Sequence, residues 1–436
     1  MTTFWCEWAW LPQGPRPGVR FDVERGRITA VSVDAPAGGA ERLPGMVLPG
    51  LANAHSHAFH RALRGWDTGA RGTFWTWREQ MYQVAEALDP DSYHRLARGV
   101  YAEMALAGIT CVGEFHYLHH AAGGARYADP NAMGEALVQA ARDAGIRLTL
   151  LDTCYLAGGF GREAAGVQQR FSDGDAARWA ERVEEFTVDS ERVRLGAAVH
   201  SVRAVPSEAI TEVAGWAREA PLHVHLSEQR AENEACLAAH GCTPTQLLES
   251  CGALGPNTTA VHATHLAAED VALLGRSRTG VCLCPTTEAD LADGIGPAPQ
   301  LRVAGSGLSL GSDGHSVIDL LAEAQAVESY QRLATETRGH HDAAALLDMA
   351  AGAGHRSLGW TDAGRLEVGA RADFVAVDLG STRLAGTEPG AVPAVARADD
   401  VREVVVDGER VVQDGRHRAV DAARELREAI ADLRTP

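Results

Sequence analysis

The chain has 436 residues, of which 45% are hydrophobic and 22% are charged, and its formal net charge is −18. A hydrophobic fraction of this size supplies a large core and excludes a chain that is disordered throughout. The acidic balance disfavours nucleic acid and anionic membranes as partners, because both require a basic surface on the protein.

The N-terminal segment, residues 1–45, is predicted to form strands, most clearly in VRFDVERGRITAVSVD (19–34). Glu7 interrupts the apolar start of the chain and no basic residue precedes it, so we expect no signal peptide. No stretch approaches the ~18 uninterrupted apolar residues of a membrane helix, which predicts a soluble protein with no membrane partner.

From residue 46 onward, short apolar runs alternate with amphipathic segments such as 91–108 and 231–254. Near-continuous apolar strands alternating with helices are typical of a parallel sheet covered on both faces. Eight such units in about 270 residues predict an α/β fold, a closed (β/α)8 TIM barrel. A doubly wound sheet is the alternative, and the lack of G-x-G-x-x-G after the first strand disfavours it. The runs are 46–55, 108–117, 146–155, 193–202, 221–227, 258–266, 279–285 and 307–313.

The C-terminal segment, residues 364–436, contains strand patterns at 364–379 and 401–412, and Asp407-Gly408 is a hairpin signal. The last stretch, AVDAARELREAIADLR, has a helical pattern. Neither terminal segment could bury a sheet face alone. We therefore predict two domains: a small β-sandwich with a C-terminal helix from residues 1–45 and 364–436, and the barrel from residues 46–363.

Two residue types narrow the chemistry. All 40 basic residues are arginines, since the sequence contains no lysine. This excludes a lysine Schiff base, a phosphate-binding P-loop lysine and a carboxylated lysine bridging two metal ions. The eight cysteines include no C-x-x-C pair, which argues against a thiolate zinc site and against a disulfide framework, and fits a reducing cytoplasm.

His55-Ser56-His57 ends the first apolar run. Residues two apart share a strand face, so both imidazoles could bind one divalent ion. In these barrels the active site lies where the strands end. An isolated H-x-H pair is weak evidence, and its position at a strand end strengthens it.

His223-Val224-His225 repeats the pattern in the fifth unit. His225 lies at the strand end, whereas His223 is expected one layer deeper as a hydrogen-bonded interior residue. Glu228, on the following loop, could reach a metal-bound water without being a ligand. Its alternative role is that of an acid at a helix N-terminus.

The sixth unit ends in His262 and His265, and the eighth ends in Asp313. An aspartate just past an apolar strand suits an oxygen ligand. The alternative for Asp313 is the N-cap of a helix starting near Val317. Four strand ends that each supply a ligand-type residue together indicate a metal centre.

The set LPGLANAHSHAFHRALRG (48–65), HVHLSEQ (223–229), VHATHL (261–266) and SDGH (312–315) resembles the amidohydrolase superfamily, in its single-metal deaminase branch. The finer pattern FWTWREQMY (74–82), GEFHYLHH (113–120) and VHSVRAV (199–205) resembles the formimidoylglutamate deiminases of histidine degradation, over nearly the whole chain. The resemblance implies one zinc ion, a cytoplasmic enzyme and a homodimer. The metal ligands that it implies are His55, His57, His225 and Asp313.

The implied reaction is the hydrolytic deimination of N-formimidoyl-L-glutamate to N-formyl-L-glutamate and ammonia. Glu228 would shuttle the proton of water to the departing nitrogen, and Asp313 could take that proton first. His262 would stabilise the tetrahedral intermediate. We choose His262 over His265 because related deaminases keep the first histidine of this motif.

The substrate carries two carboxylates, and arginine binds these best through paired hydrogen bonds. The family pattern places Arg78, Tyr117, His200 and Arg203 around the glutamate moiety. The alternative for Arg203 is a surface ion pair, and for Tyr117 and His200 it is packing in the barrel mouth. His60 stands where the family usually has glutamine, and its ring can still donate to a carboxylate.

The loop of residues 60–85 is a candidate lid, with Trp66, Trp75 and Trp77 as its packed core. The alternative functions are another aminohydrolase of the same branch, acting on formiminoaspartate, a guanidino acid, guanine or a nucleoside, and a scaffold without catalysis. A purine site would favour stacking rings over an arginine pair. A scaffold should have lost a metal ligand or Glu228, and this chain keeps them.

Overall fold

The computed structural model describes residues 1–66 and 74–434. The strands of these residues, numbered along the chain, are β1 (Thr2–Leu11), β2 (Gly14–Glu24), β3 (Arg27–Ser32), β4 (Glu41–Pro49), β5 (Leu51–Ser56), β6 (Ile109–His116), β7 (Arg147–Cys154), β8 (Ala157–Gly159), β9 (Arg162–Glu163), β10 (Val193–Ser201), β11 (Leu222–Leu226), β12 (Thr258–His262), β13 (Gly280–Leu283), β14 (Leu308–Leu310), β15 (Phe374–Val377), β16 (Val401–Val406), β17 (Glu409–Gln413) and β18 (Arg416–His417).

The α-helices are α1 (Phe74–Ala87), α2 (Pro90–Leu106), α3 (Ala132–Ala144), α4 (Ala176–Glu184), α5 (Ser207–Trp216), α6 (Arg230–His240), α7 (Pro244–Ser250), α8 (Ala268–Ser277), α9 (Pro285–Asp290), α10 (Ala298–Ala304), α11 (Leu320–Thr335), α12 (Ala343–Ala350), α13 (Gly352–Ser357) and α14 (Ala422–Arg434). Short 3-10 segments lie at Ala58–Leu63, Ala122–Gly124, Gly166–Phe171, Pro389–Ala394 and Ala398–Asp400. No helix among these has the length and apolar character needed to cross a membrane.

The two ends of the chain form one sheet, with the strand order β18-β17-β16-β15-β4-β1-β2-β3. Strand β4 joins the two ends, since it pairs in parallel with β1 and antiparallel with β15. The rings of Phe4 and Phe21 pack on Phe374, with centroids 5.4 and 5.0 Å away. The predicted pairing of the two terminal segments is confirmed. The domain limits at residues 45 and 363 stay a prediction, and β4 runs across the first of them.

The second large sheet is the barrel, in the order β14-β13-β12-β11-β10-β7-β6-β5 with parallel neighbours throughout. Each predicted apolar run supplies one of these strands, so the (β/α)8 fold is confirmed. Strands such as β5, β6 and β7 are buried at every residue. This burial on both faces explains why their sequences are continuously apolar rather than alternating.

The barrel closes between its first and eighth strands, β5 and β14. A parallel bridge joins Ser56 to Asp313, and the Asp313 N–H donates to the His55 carbonyl at 3.1 Å. The Asn53 amide continues the pairing, since it accepts from the Ser312 N–H at 2.9 Å and donates to Ser312 Oγ at 2.7 Å. A Cβ on Gly311 would lie 2.7 Å from His55 Cβ, so only glycine fits there. We call this contact, between residues 53–56 and 311–313, the seam.

Glycines divide two of the predicted segments. Gly50 separates β4 from β5, and a Cβ there would lie 2.4 Å from Thr110 Oγ1. The chain therefore passes from one sheet to the other at a point where no side chain fits. In the segment 231–254, Gly241 with φ of 70° ends α6, and a capping box of Thr243 with Gln246 begins α7.

Other local predictions are also met. Asp407 and Gly408, with φ of 50° and 78°, join β16 to β17, as a type I′ turn requires. The predicted C-terminal helix is α14, which an ion pair of 2.8 Å between Arg95 and Asp432 links to α2. All eight cysteines lie within the described residues, and all are free thiols.

Candidate active site

The seam brings two histidines and an aspartate together at the carboxyl end of the barrel strands. His55 belongs to β5, His57 follows that strand, and both side chains are buried. Asp313 Oδ1 lies 3.2 Å from His55 Nε2 and 3.4 Å from His57 Nε2. The alternative role of Asp313 as a helix N-cap is wrong, since Asp319 caps α11.

His225 of β11 joins this group, with its Nε2 3.1 Å from His55 Nε2. The Nδ1 atoms of His225 and His57 each lie 2.9 Å from a backbone carbonyl oxygen, those of His200 and Phe115. A carbonyl oxygen only accepts, so each Nδ1 carries the hydrogen and each Nε2 lone pair faces the centre. Metal-ligating histidines are held in this way in many proteins.

The donor set fits a divalent metal. Burial lowers the pKa of His57 and His225 well below the usual value, so both rings are neutral and present lone pairs. Ligand atoms bound tetrahedrally at ~2.0–2.1 Å are roughly 3.3 Å apart. The contacts of 3.1–3.4 Å within this group match that spacing.

The candidate ligand atoms form two buried groups, each within 4.8 Å. One group is His55, His225, His262 and Asp313, and the other is His57, His60 and Asp313. Asp313 belongs to both, and each of the four predicted ligands belongs to at least one. His60 and His262 also come within this distance, so the choice of ligands among the five histidines stays a prediction.

His262, predicted to stabilise the tetrahedral intermediate, and Glu228, predicted to shuttle the proton, lie next to each other at this site. His262 ends β12, and its Nε2 lies 3.8 Å from Asp313 Oδ2 and 3.9 Å from Glu228 Oε1. Burial raises the pKa of Glu228 to about 7. A carboxyl group with that pKa can hold a proton and release it near neutral pH.

Glu288 of α9 is a site residue that the sequence analysis missed. Its Oε1 lies 3.4 Å from His262 Nδ1 and accepts the Cys284 N–H at 2.9 Å. Glu288 thus occupies Nδ1 of His262 and leaves Nε2 facing Asp313 and Glu228. The available signal is an acidic residue three positions after the apolar run 279–285, but no spacing connects it to His262.

Several residues at these strand ends adopt left-handed backbone conformations although they are not glycine. The φ angles are 51° at Ser227, 69° at His262, 40° at Asp313 and 58° at His315. Each such residue costs on the order of 1–3 kcal/mol, and strain of this kind concentrates at functional sites.

The predicted substrate-binding residues all line the cavity that contains the catalytic candidates. They are His60, Arg78, Tyr117, His200 and Arg203. The Tyr117 hydroxyl lies 3.0 Å from His60 Nε2, and the His200 ring packs on the Tyr155 ring with their centroids 4.6 Å apart. Tyr117 and His200 therefore pack against other side chains in the barrel mouth and also line the cavity.

His60 is the departure from the family pattern. Burial lowers its pKa to about 3, so its ring is neutral and offers one hydrogen bond donor and one acceptor. A glutamine side chain at this position also offers a donor and an acceptor without charge. The substitution thus preserves the hydrogen-bonding character of the position.

The cavity has an inner and an outer part that share Arg78, Arg203 and Glu228. The inner part, about 60 Å³, is lined by His57, His225, His262 and Asp313 among other residues, and the outer part is about 350 Å³. The Arg78 guanidinium lies over the Tyr82 ring, 5.3 Å from its centroid. Two arginines at the junction of the two parts are suited to bind carboxylates.

A second buried cluster, His116, His119 and Asp152, also places possible ligand atoms within 4.8 Å of one another. Asp152 is already paired, because Arg182 donates to both of its oxygens at 2.7 and 2.8 Å. Trp179 Nε1 donates to it as well, at 2.9 Å. This cluster is therefore an ion-pair network and a poor metal centre.

The candidate lid falls partly outside the described residues. Residues 67–73 and the side chain of Trp75 are not among them. Trp66 and Trp77 are partly buried against the main core.

Comparison with known proteins is consistent with this geometry. Residues 46–411 match the model of the Amidohydrolase family. The chain is 38% identical to the formimidoylglutamate deiminase of Pseudomonas aeruginosa, over 99% of this chain and 100% of that protein. It is 30% identical to the 8-oxoguanine deaminase of the same organism, over 87% and 84% of the two chains. The crystal structure of an amidohydrolase from Brucella melitensis superposes with a TM-score of 0.91 at 33% identity and covers 100% of both chains. The resemblance carried by the strand-end motifs is confirmed, and the chain belongs to the amidohydrolase family.

Proposed function

We propose that this protein is a zinc-dependent deiminase that hydrolyses N-formimidoyl-L-glutamate to N-formyl-L-glutamate and ammonia. The observation that supports this most directly is the placement of the His/Asp cluster and two arginines in one cavity. A cluster of this kind suits hydrolysis of a C–N bond, and the arginines suit a dicarboxylate. The deiminase relative, matched along the whole chain, supports the same substrate.

The residues that would hold the metal are His55, His57, His225 and Asp313. Three imidazoles and one carboxylate are a donor set that zinc accepts. Zinc bound there would lower the pKa of a water molecule to about 7 and supply hydroxide at neutral pH.

The protein's own groups then move the protons. As the water oxygen bonds to the amidine carbon, Asp313 or Glu228 accepts its proton. His262 Nε2 donates a hydrogen bond to the oxygen of the tetrahedral intermediate. Glu228 carries this proton to the imino nitrogen and then carries a second proton from the hydroxyl of the intermediate as its C=O bond forms. The C–N bond breaks, and the nitrogen leaves as ammonia. Proton transfer of this kind is worth typically ~10²–10⁴-fold in rate.

Recognition rests on groups of opposite charge to the substrate. Arg78 and Arg203 would bind its two carboxylates, against the repulsion of a chain whose net charge is −18. His60, Tyr117 and His200 would supply neutral hydrogen bonds to the same moiety. The resemblance further supports a homodimer in the cytoplasm, and light scattering tests the oligomeric state.

The deciding experiment measures ammonia release together with the metal content of the same preparation. The substrates are N-formimidoyl-L-glutamate, N-formimidoyl-L-aspartate, a guanidino acid, guanine and adenosine. We expect the highest kcat/KM for N-formimidoyl-L-glutamate and about one metal ion per chain. A higher kcat/KM for a purine would replace this proposal with a purine deaminase.

A further inference from the structure

Glu232 is a buried carboxylate beside the substrate cavity that the proposed mechanism does not use. It lies in the first turn of α6, is 6% exposed, and lines the outer part of the cavity with Arg203. Its Oε2 lies 3.7 Å from Arg203 Nε. Burial raises the pKa of Glu232, and the Arg203 charge opposes this rise. A buried carboxylate is costly without a cation, and Arg203 provides one.

The contact engages one edge of the Arg203 guanidinium. The closest approach of Glu232 is to Nε, and among the described residues no other carboxylate forms an ion pair with Arg203. A guanidinium can meet carboxylates along the edge that contains Nε and along the edge formed by its two Nη atoms. Arg203 lines both parts of the cavity, so its side chain is within reach of a ligand there.

We propose that Glu232 is a positioning residue that fixes Arg203 and thereby determines which dicarboxylate chain length the enzyme prefers. This inference rests on the proposed function, because it assigns a substrate carboxylate to Arg203. The arginine side chain has about 2 kcal/mol of rotamer entropy, and an ion pair at Nε restricts that freedom before substrate binds. The Nη edge is then held at one distance from the cluster that contains Asp313. Substrates that differ by one methylene reach that edge unequally.

The first test is the kinetics of Glu232→Gln, which keeps the side-chain size and removes the charge. We expect KM for N-formimidoyl-L-glutamate to rise roughly tenfold while kcat changes less than about twofold, a binding loss of ~1.4 kcal/mol. The preference for this substrate over N-formimidoyl-L-aspartate should fall by a similar factor. Glu232→Asp keeps the carboxylate, so its KM and its substrate preference should lie between those of the wild type and those of Glu232→Gln. The matched control is Glu234→Gln, an exposed glutamate of the same helix, which should behave as wild type.

The second test combines Glu232→Gln with Arg203→Ala. Because Glu232 acts through Arg203, Glu232→Gln should raise KM no further in the Arg203→Ala background. Arg203→Ala alone should lower Tm, since it leaves the buried Glu232 without its cation, and adding Glu232→Gln should restore part of that loss. A merely structural role would lower Tm equally in both backgrounds and leave KM unchanged.

Binding of glutarate, measured by calorimetry on the metal-loaded enzyme, separates this inference from the proposed function. If the wild type releases ammonia from N-formimidoyl-L-glutamate but Glu232→Gln keeps its KM and its glutarate affinity, the inference is overturned and the function stands. If the wild type binds glutarate and Glu232→Gln binds it roughly tenfold more weakly, the positioning role holds even where the substrate is a different dicarboxylate.

Discussion

The two ends of the barrel place buried charges in opposite ways. At the amino end, Arg147 of β7 is fully buried, and its Nη1 lies 3.1 Å from both Asp373 Oδ1 and Asp407 Oδ1. At the carboxyl end, His55 and His225 instead bring two ring nitrogens within 3.1 Å of each other. Opposite charges pair at one end, and lone pairs converge at the other.

The amino end also surrounds an aromatic ring with cations. The guanidinium carbons of Arg194, Arg371 and Arg147 lie 4.3, 5.0 and 5.4 Å from the centroid of Trp360. This end joins barrel residues to the terminal sheet and pairs Arg147 and Arg371 with aspartates of the chain. The comparison shows that burial of charge alone does not mark a site. Ring nitrogens whose lone pairs converge on one point mark it instead.

The largest expected effect on activity comes from a change at the carboxyl end of the barrel, where the ring nitrogens converge. Removal of the metal with a chelator should abolish ammonia release, and added zinc should restore it. Tm should fall as well, because an ion that binds only the folded state stabilises it by about 4 kcal/mol at a thousandfold excess over Kd. An enzyme that keeps its full rate when metal analysis finds no ion would contradict the proposal that the His/Asp cluster binds a catalytic metal.

Glu228→Gln should lower kcat by ~10²–10⁴-fold while the bound metal and Tm stay as in the wild type. The amide has nearly the same shape but cannot shuttle a proton. Steady-state kinetics with metal analysis measures both effects, and Glu234→Gln is again the control. An unchanged kcat would remove Glu228 from the mechanism.

Arg147→Met tests the amino end of the barrel, where opposite charges pair. It should lower the free energy of unfolding by about 3–5 kcal/mol, because Asp373 stays buried without its cation. The kcat/KM should be unaffected. Urea unfolding measures this loss, and Arg356→Met is the control. Arg356 forms an exposed ion pair of 2.9 Å with Asp348, and its removal should lower the free energy of unfolding by less than ~1 kcal/mol. Equal losses in the two variants would refute the contrast between the two ends.

Arg203→Ala should raise KM for the dicarboxylate by about 10–100-fold, the loss of one charge-assisted hydrogen-bonding partner worth ~1.5–3 kcal/mol. Metal content should not change. The check compares the substrate with the corresponding monocarboxylate amidine. If both are turned over equally by the wild type, Arg203 does not bind a second carboxylate.

The barrel was predictable because its strands are buried on both faces, which makes their sequences continuously apolar. Such runs can be recognised without knowing which strands pair. The convergence of His55, His225 and Asp313 was predictable although they are far apart in sequence, because the carboxyl ends of the strands meet at one end of such a barrel. Contacts between side chains of elements that are distant in the sequence were not predictable. Glu288 reaches His262, and Glu232 reaches Arg203, through helix placements that no local pattern specifies.

The seam has a consequence for how the protein matures. Its two sides are 259 residues apart in the chain, as the Asn53–Ser312 contact shows. A ribosome-bound chain that has completed seven barrel strands already holds all the imidazoles of the cluster but lacks the aspartate. No partial barrel can therefore assemble the complete set of predicted ligands, and binding of an ion by all four of them would have to wait for the last strand to close the barrel.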